Sequence, residues 1–147
     1  MTEPRRLLLV NGPTLNLLGT REPGIYGSAT LADVERIAQE AAAESGWSIR
    51  ALQSNHEGVL IDAIHAARED CIGIVINPGG LTHTSVALRD ALTGVGLPFA
   101  EVHISDVHAR EEFRHFSYLA DVADVRVIGE GVAGYANAVR QLSERIA

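Results

Sequence analysis

Five short apolar segments alternate with helical patterns along the chain. They cover residues 6–11, 47–52, 73–76, 97–104 and 125–128. The first and third are apolar at nearly every position, as is typical of strands with both faces covered. Apolar residues recur at helical spacing in three segments, which begin at Leu31, Leu60 and Val132. The alternation predicts an α/β fold: a flavodoxin-like, doubly wound, five-stranded parallel sheet with helices on both faces, in one domain over residues 1–147.

Capping residues delimit the predicted helices. Thr30 followed by Asp33 is a capping-box variant at the start of the first helix. Thr84 or Ser85 caps the third helix. Residues 109–116 are predicted as a further short helix.

Charge and cysteine content exclude several classes of protein. The net charge is −7, which argues against a nucleic-acid or anionic-membrane partner. No apolar run approaches the length of a membrane span, and the first residues lack the apolar core of a secretion signal. Cys71 is the single cysteine, so no intrachain disulfide can form. We therefore expect a cytoplasmic protein.

All twelve basic residues are arginine, and the sequence contains no lysine. This excludes a lysine Schiff base, a phosphate-loop lysine and the lysine of a phospho-receiver domain. A flavin-binding module is disfavoured as well, because Pro13 removes a backbone donor from the loop after the first strand. A non-enzymatic α/β binding module, or a catalytically inactive relative of an enzyme, stays open as the alternative to an enzyme.

Residues 18–27 are predicted to form a mobile loop at the carboxyl end of the first strand. They carry glycines and a proline and have no apolar periodicity. A tyrosine, with an ordinary pKa of about 10, is a poor base near neutral pH. A nearby guanidinium stabilises the phenolate and lowers that pKa. Tyr26 is therefore a candidate general base and Arg21 its stabiliser; the alternative is that Tyr26 simply rests on the surface.

Polar side chains stand where the predicted strands end. Asn11 ends the first strand and Asn77 the third, while Glu101, His103 and Ser105 fall at the end of the fourth. The carboxyl ends of parallel strands lie along one edge of a sheet, where open α/β sheets bind their ligands. We expect these side chains to converge there on an active site.

Glu101 and His103 are two residues apart on a predicted strand, so their side chains face the same way. They are interpreted as a carboxylate that orients an acid–base imidazole. One alternative is a surface pair at a strand end. The other is a metal site with His83 or His108 as third ligand, but no metal-binding histidine motif occurs.

Several segments favour an anionic or polar ligand. The turn at Ser105 offers backbone amides and a hydroxyl as an anion nest, and residues 82–85 open a helix. One of Arg110 and Arg114, which lie four residues apart, could clamp an anionic substrate. Each has a plainer interpretation: capping for the turn and the helix start, and solvated surface charge for the arginines and for Asp90 on the third helix.

Nine multi-residue motifs resemble type II 3-dehydroquinate dehydratases, in order and over essentially the whole chain. They lie at residues 11–19, 21–23, 26–27, 53–58, 77–80, 82–85, 101–105, 110–114 and 129–135.

The resemblance implies an anti elimination of water from 3-dehydroquinate, giving 3-dehydroshikimate through an enolate without metal or organic cofactor. It assigns proton abstraction to Tyr26, with Arg21 supporting the phenolate. His103 protonates the leaving hydroxyl beside Glu101, and Asn11 helps to hold a water that faces the enolate. With no lysine in the chain, the lysine-iminium route is closed.

The resemblance also implies a set of substrate contacts and an assembly. The contacts are Asn77, His83, Asp90, Ile104, Ser105 and Arg114. The assembly is a homododecamer, a tetramer of trimers, in which Asp90 of a neighbouring subunit reaches the site. The reaction belongs either to the shikimate pathway of aromatic amino acid biosynthesis or to quinate breakdown. Thr14, Phe116 and Val125 depart from the usual family residues.

Overall fold

The structure is a computed structural model that describes residues 5–20, 24 and 27–147. Arg21 and Tyr26 lie outside the described residues, together with Glu22, Pro23 and Ile25 of the predicted mobile loop.

The described residues form one five-stranded parallel sheet in the order β2-β1-β3-β4-β5. This is the flavodoxin-like order, and it confirms the predicted fold. The fourth strand is shorter than the predicted segment 97–104, because the chain turns away at both ends. The strands are β1 (Arg6–Asn11), β2 (Ser48–Gln53), β3 (Gly73–Asn77), β4 (Phe99–His103) and β5 (Val125–Ile128).

Helices cover both faces of the sheet, with an apolar cluster between the helices and the sheet on each side. They are α1 (Leu31–Ala43), α2 (Glu57–Ala66), α3 (Val86–Val95) and α4 (Ala133–Ile146). Helices α1 and α4 share one face, and α2 and α3 share the other. Thr30 and Asp33 form the predicted capping box, and Ser85 caps α3. Within these described segments, no helix is long and apolar enough to span a membrane.

The predicted helix at 109–116 is wrong. The chain makes two 3₁₀ turns instead, Val107–Ala109 and Glu112–Arg114. Arg110 between them is extended, with φ −106° and ψ −165°. Its side chain is largely buried beside the end of β4, where a guanidinium nitrogen donates to the Ser105 hydroxyl at 3.4 Å. This tertiary contact overrides the local preference for a helix.

The order of the strands reverses between β1 and β3, and the last residues of these strands pair in register. The loops that follow are pressed together: the Gly12 amide donates to the Asn77 carbonyl at 2.8 Å. A Cβ at Gly12 would lie 2.4 Å from the Pro78 carbonyl oxygen, so only glycine fits. The switch point of the sheet is thus a rigid, close-packed edge.

Thr14, where the family resemblance leads us to expect asparagine, is the only non-glycine residue with positive φ in the described ranges, at φ 73°. This left-handed conformation is costly for a β-branched residue and favourable for asparagine. We expect Thr14→Asn to relieve about 1 kcal/mol of strain and to raise the melting temperature by roughly 2–4 °C. Scanning calorimetry measures the shift. Thr14→Val, which keeps the β-branch, is the control, and an equal gain in both variants would contradict the strain.

Candidate active site

A cavity of about 200 Å³ opens at the carboxyl ends of β1, β3 and β4. Arg110 and Thr14 lie in its wall, together with most of the residues proposed from the sequence as substrate contacts or catalytic groups. These are Asn77, His83, His103, Ile104, Ser105 and Arg114. Of the strand-end residues predicted to converge, Asn77, His103 and Ser105 share this wall, whereas Asn11 and Glu101 are not part of it.

Glu101 and His103 form a buried pair at the end of β4. The imidazole Nε2 donates to Glu101 Oε2 at 2.6 Å, and the two residues are 0% and 5% exposed. The interpretation as a surface pair is thus wrong. Two further groups hold the carboxylate: Arg126 Nε donates to Oε1 at 2.8 Å, and the Ser117 hydroxyl donates to Oε2 at 2.7 Å. Both carboxylate oxygens have partners.

These contacts keep Glu101 ionised. Burial would by itself raise the pKa of the carboxyl, but the hydrogen bond and charge of His103, together with the hydrogen bonds from Arg126 and Ser117, outweigh it and lower the pKa to about 2. An ionised carboxylate can only accept, so the proton between the two groups stays on His103 Nε2. The second ring nitrogen, Nδ1, is left as the atom that can exchange a proton with a ligand.

The lowered pKa of Glu101 predicts an acid-sensitive share of stability. Because the folded-state pKa lies below the ordinary 4.5, the ionised group stabilises the fold above about pH 4.5, and the contribution is lost as the pH falls toward 2. The share is on the order of 3 kcal/mol. Urea unfolding at pH 6 and pH 3 should show a smaller loss in Glu101→Gln than in the wild type. The exposed Glu144→Gln is the control, and equal losses in wild type and Glu101→Gln would refute the assignment.

Asn11 and Asn77, at the switch point, are linked by a buried tyrosine from α4. The Tyr135 hydroxyl donates to Asn11 Oδ1 at 2.6 Å and accepts from Asn77 Nδ2 at 2.9 Å. Asn77 Oδ1 in turn accepts from the Gly79 amide at 3.1 Å. Complete burial raises the pKa of Tyr135 above its ordinary value, so the hydroxyl stays protonated.

His83 lies in the cavity wall, where its Nδ1 donates to the Phe116 carbonyl at 2.7 Å. Burial lowers the pKa of this imidazole, which favours the neutral ring. His108 is exposed and lies beside Asp106. In the part of the chain that the structure describes, no group of three His, Cys, Asp or Glu side chains is arranged to hold a metal ion.

Arg114 reaches the cavity wall and pairs with Glu111, Nε to Oε2, at 3.1 Å. Asp90 does not join the other predicted site residues: it is exposed on α3 and is not part of the cavity wall. Within one chain, the predicted contact of Asp90 with the site is therefore not made.

Three residues that hold the predicted ones in place were not predicted from the sequence: Ser117, Arg126 and Tyr135. Arg126 left a signal, because an arginine within the apolar run 125–128 needs a partner for its charge. Tyr135 fitted the apolar face of the terminal helix, so its hydroxyl passed unnoticed. Ser117 left no signal in the sequence.

The chain is similar in sequence to proteins described as dehydroquinases or dehydroquinate dehydratases. A family model described as dehydroquinase class II matches residues 5–143. The chain is 63% identical over 140 residues to the catabolic 3-dehydroquinase 2 of Aspergillus flavus, covering 95% of this chain and 93% of that protein. It is 59% identical over 136 residues to the 3-dehydroquinate dehydratase of Herminiimonas arsenicoxydans, covering 92% and 94%.

A solved structure agrees with these relatives. The type II dehydroquinase of Butyrivibrio crossotus superposes on this chain with a TM-score of 0.92 at 42% identity, covering 95% of this chain and 98% of that one. The match of the family model over nearly the whole chain, the close relatives and the shared fold agree: the chain belongs to the class II dehydroquinase family.

Proposed function

We propose that the protein is a hydro-lyase that converts 3-dehydroquinate to 3-dehydroshikimate by anti elimination through an enolate. The observation that carries the proposal is the buried Glu101–His103 pair at the edge of a cavity, in a chain of this family. No metal or organic cofactor takes part, because the ketone itself acidifies the adjacent C–H bond.

His103 is the proposed proton donor for the leaving hydroxyl. Its Nε2–H is held by Glu101, so the transferred proton leaves from Nδ1. The enolate electrons form the carbon–carbon double bond as the C–O bond breaks, and the hydroxyl departs as water with that proton. Glu101 stabilises the imidazolium before the transfer and keeps the ring oriented throughout.

Tyr26 is the proposed base. Its phenolate takes the proton alpha to the ketone, and Arg21 stabilises the phenolate in the resting state. Asn11 helps to hold a water against the enolate oxygen. The assignments of Tyr26 and Arg21 rest on the sequence motif, because both residues lie outside the described ranges.

The substrate is an anion, and the cavity suits one. Ile104 and Ser105 lie in its wall at the end of β4, where their backbone amides are the proposed carboxylate contacts. Arg114 adds positive charge to the same wall. Asn77 and His83 are the proposed contacts to the hydroxyl groups of the substrate ring.

Asp90 completes the proposed site from a second copy of the chain. It is exposed on α3, as is the apolar Val86 of the same helix. We propose a homododecamer, a tetramer of trimers, in which this helix face meets the cavity of a neighbour. Light scattering should give a mass about twelve times the 15.7 kDa of one chain, and a stable monomer would contradict the assembly.

The reaction serves two routes, aromatic amino acid biosynthesis by the shikimate pathway and quinate breakdown. The Aspergillus flavus relative is named catabolic, and the Herminiimonas arsenicoxydans relative is named without a route. The proposed reaction is the same in both. We also propose a cytoplasmic location, which the single cysteine, Cys71, favours.

Absorbance of the conjugated enone product tests the proposed reaction. Purified protein should generate this absorbance from 3-dehydroquinate, with the product identified by NMR. Folded protein, shown by circular dichroism, that leaves 3-dehydroquinate unchanged would overturn the proposal in favour of a binding module.

A further inference from the structure

Tyr135 belongs to a chain of hydrogen bonds at the switch point in which each donor and each acceptor can be assigned. Its hydroxyl lies between the side chains of Asn11 and Asn77, which end the two central strands. The tyrosine is completely buried and comes from α4, far away in the sequence.

The backbone amide of Gly79 sets the direction of this hydrogen-bond chain. An N–H can only donate, so the atom of Asn77 that faces it at 3.1 Å must be the carbonyl oxygen. The amide nitrogen of Asn77 therefore faces Tyr135 and donates to it. The one hydroxyl proton of Tyr135 must then point to Asn11, so the Asn11 atom that faces the tyrosine must be its oxygen.

This assignment also fixes the position of the nitrogen atom of the Asn11 side-chain amide. With Oδ1 fixed on Tyr135, both N–H donors of Asn11 face away from the tyrosine. Among the described residues, no hydrogen bond from Asn11 Nδ2 to the protein is formed, although the residue is nearly fully buried. Nδ2 is not one of the fully enclosed side-chain atoms that lack a partner, so its N–H groups are accessible to an oxygen atom of a bound water or substrate.

We propose that Tyr135 is a positioning residue for the reaction: it locks Asn11 in the orientation that offers N–H donors at the switch point. This inference rests on the proposed function, in which Asn11 holds the water against the enolate oxygen. The lock matters because an oxygen in place of the nitrogen would repel the developing negative charge instead of stabilising it.

Tyr135→Phe removes the hydroxyl and keeps the ring. The Asn11 oxygen then lacks a hydrogen-bond donor, which favours a rotation of the side-chain amide that exchanges the positions of its oxygen and nitrogen. After this rotation the N–H groups of Asn11 no longer face the bound water. We expect kcat to fall by about tenfold to a hundredfold while KM changes by less than about twofold. Tyr118→Phe is the matched control, because it removes the same hydroxyl group from a tyrosine that is not part of the cavity wall. The hydrogen bond from the Tyr118 backbone amide to the Thr82 carbonyl does not depend on that hydroxyl.

A double-mutant cycle separates positioning from general loss of structure. In an Asn11→Ala background there is no amide to orient, so the further change Tyr135→Phe should lower kcat by less than about twofold. An equal loss of kcat in both backgrounds would overturn the proposal, as would an unchanged kcat in folded Tyr135→Phe.

Neutron diffraction on the deuterium-exchanged wild-type protein tests the polarity directly and needs neither a variant nor turnover. The proposal predicts deuterium on the Tyr135 hydroxyl pointing to Asn11 and two deuterons on Asn11 Nδ2. Deuterium pointing to Asn77 would refute it. Because this measurement uses no substrate, it tests the orientation of Asn11 independently of whether the protein dehydrates 3-dehydroquinate.

Discussion

Replacing His103 with alanine is expected to lower kcat by about two to four orders of magnitude, the usual contribution of a general acid. The leaving hydroxyl would depart without the proton from Nδ1, and buried Glu101 would lose one of its partners. Steady-state rates over a range of pH measure the loss. His65→Ala, an exposed histidine near the end of α2, is the control.

Rates with His103→Ala also separate catalysis from folding. Glu101 keeps its contacts to Arg126 and Ser117 in this variant, so we expect the protein to remain folded. A folded His103→Ala variant that retained more than about a tenth of the wild-type kcat would exclude His103 as the general acid.

Replacing Tyr26 with phenylalanine is expected to abolish measurable turnover while leaving substrate binding largely intact. The change removes one oxygen atom, which is the proposed acceptor of the alpha proton, and keeps the aromatic ring. An acid–base group of this kind contributes about two to four orders of magnitude. Turnover by absorbance and binding by titration calorimetry, both on the same preparation, measure the two effects.

Tyr118→Phe is the control here too, because it removes the same oxygen from a tyrosine that is not part of the cavity wall. If Tyr26→Phe turned over at nearly the wild-type rate, the base would have to be sought elsewhere. Loss of binding together with turnover would give Tyr26 a role in holding the substrate instead.

Most of the fold was predictable because its signals are local. The apolar runs that become β1 and β3, and the Thr30–Asp33 capping box, are decided by neighbours in the sequence. The predicted helix at 109–116 failed because the Arg110 side chain is buried against the end of β4, a tertiary contact that local pattern does not contain.

The candidate site was predictable where the residues end strands. Asn77 and His103 lie in the cavity wall because the topology brings the strand ends to one edge. Tyr135 and Arg126 were missed because they reach the site from distant elements and act on other side chains. Asp90 is apart from the cavity within one chain, and only a second copy could bring such a residue to it.

Enone formation from 3-dehydroquinate before and after borohydride treatment tests the central claim most directly. The protein is incubated with substrate and borohydride, freed of small molecules and assayed again. Because the chain has no lysine and the proposed route through His103 and Tyr26 forms an enolate, we predict the same rate in treated and untreated samples. Loss of activity only after treatment in the presence of substrate would reveal a covalent imine, and absence of enone in both samples would contradict the dehydratase itself.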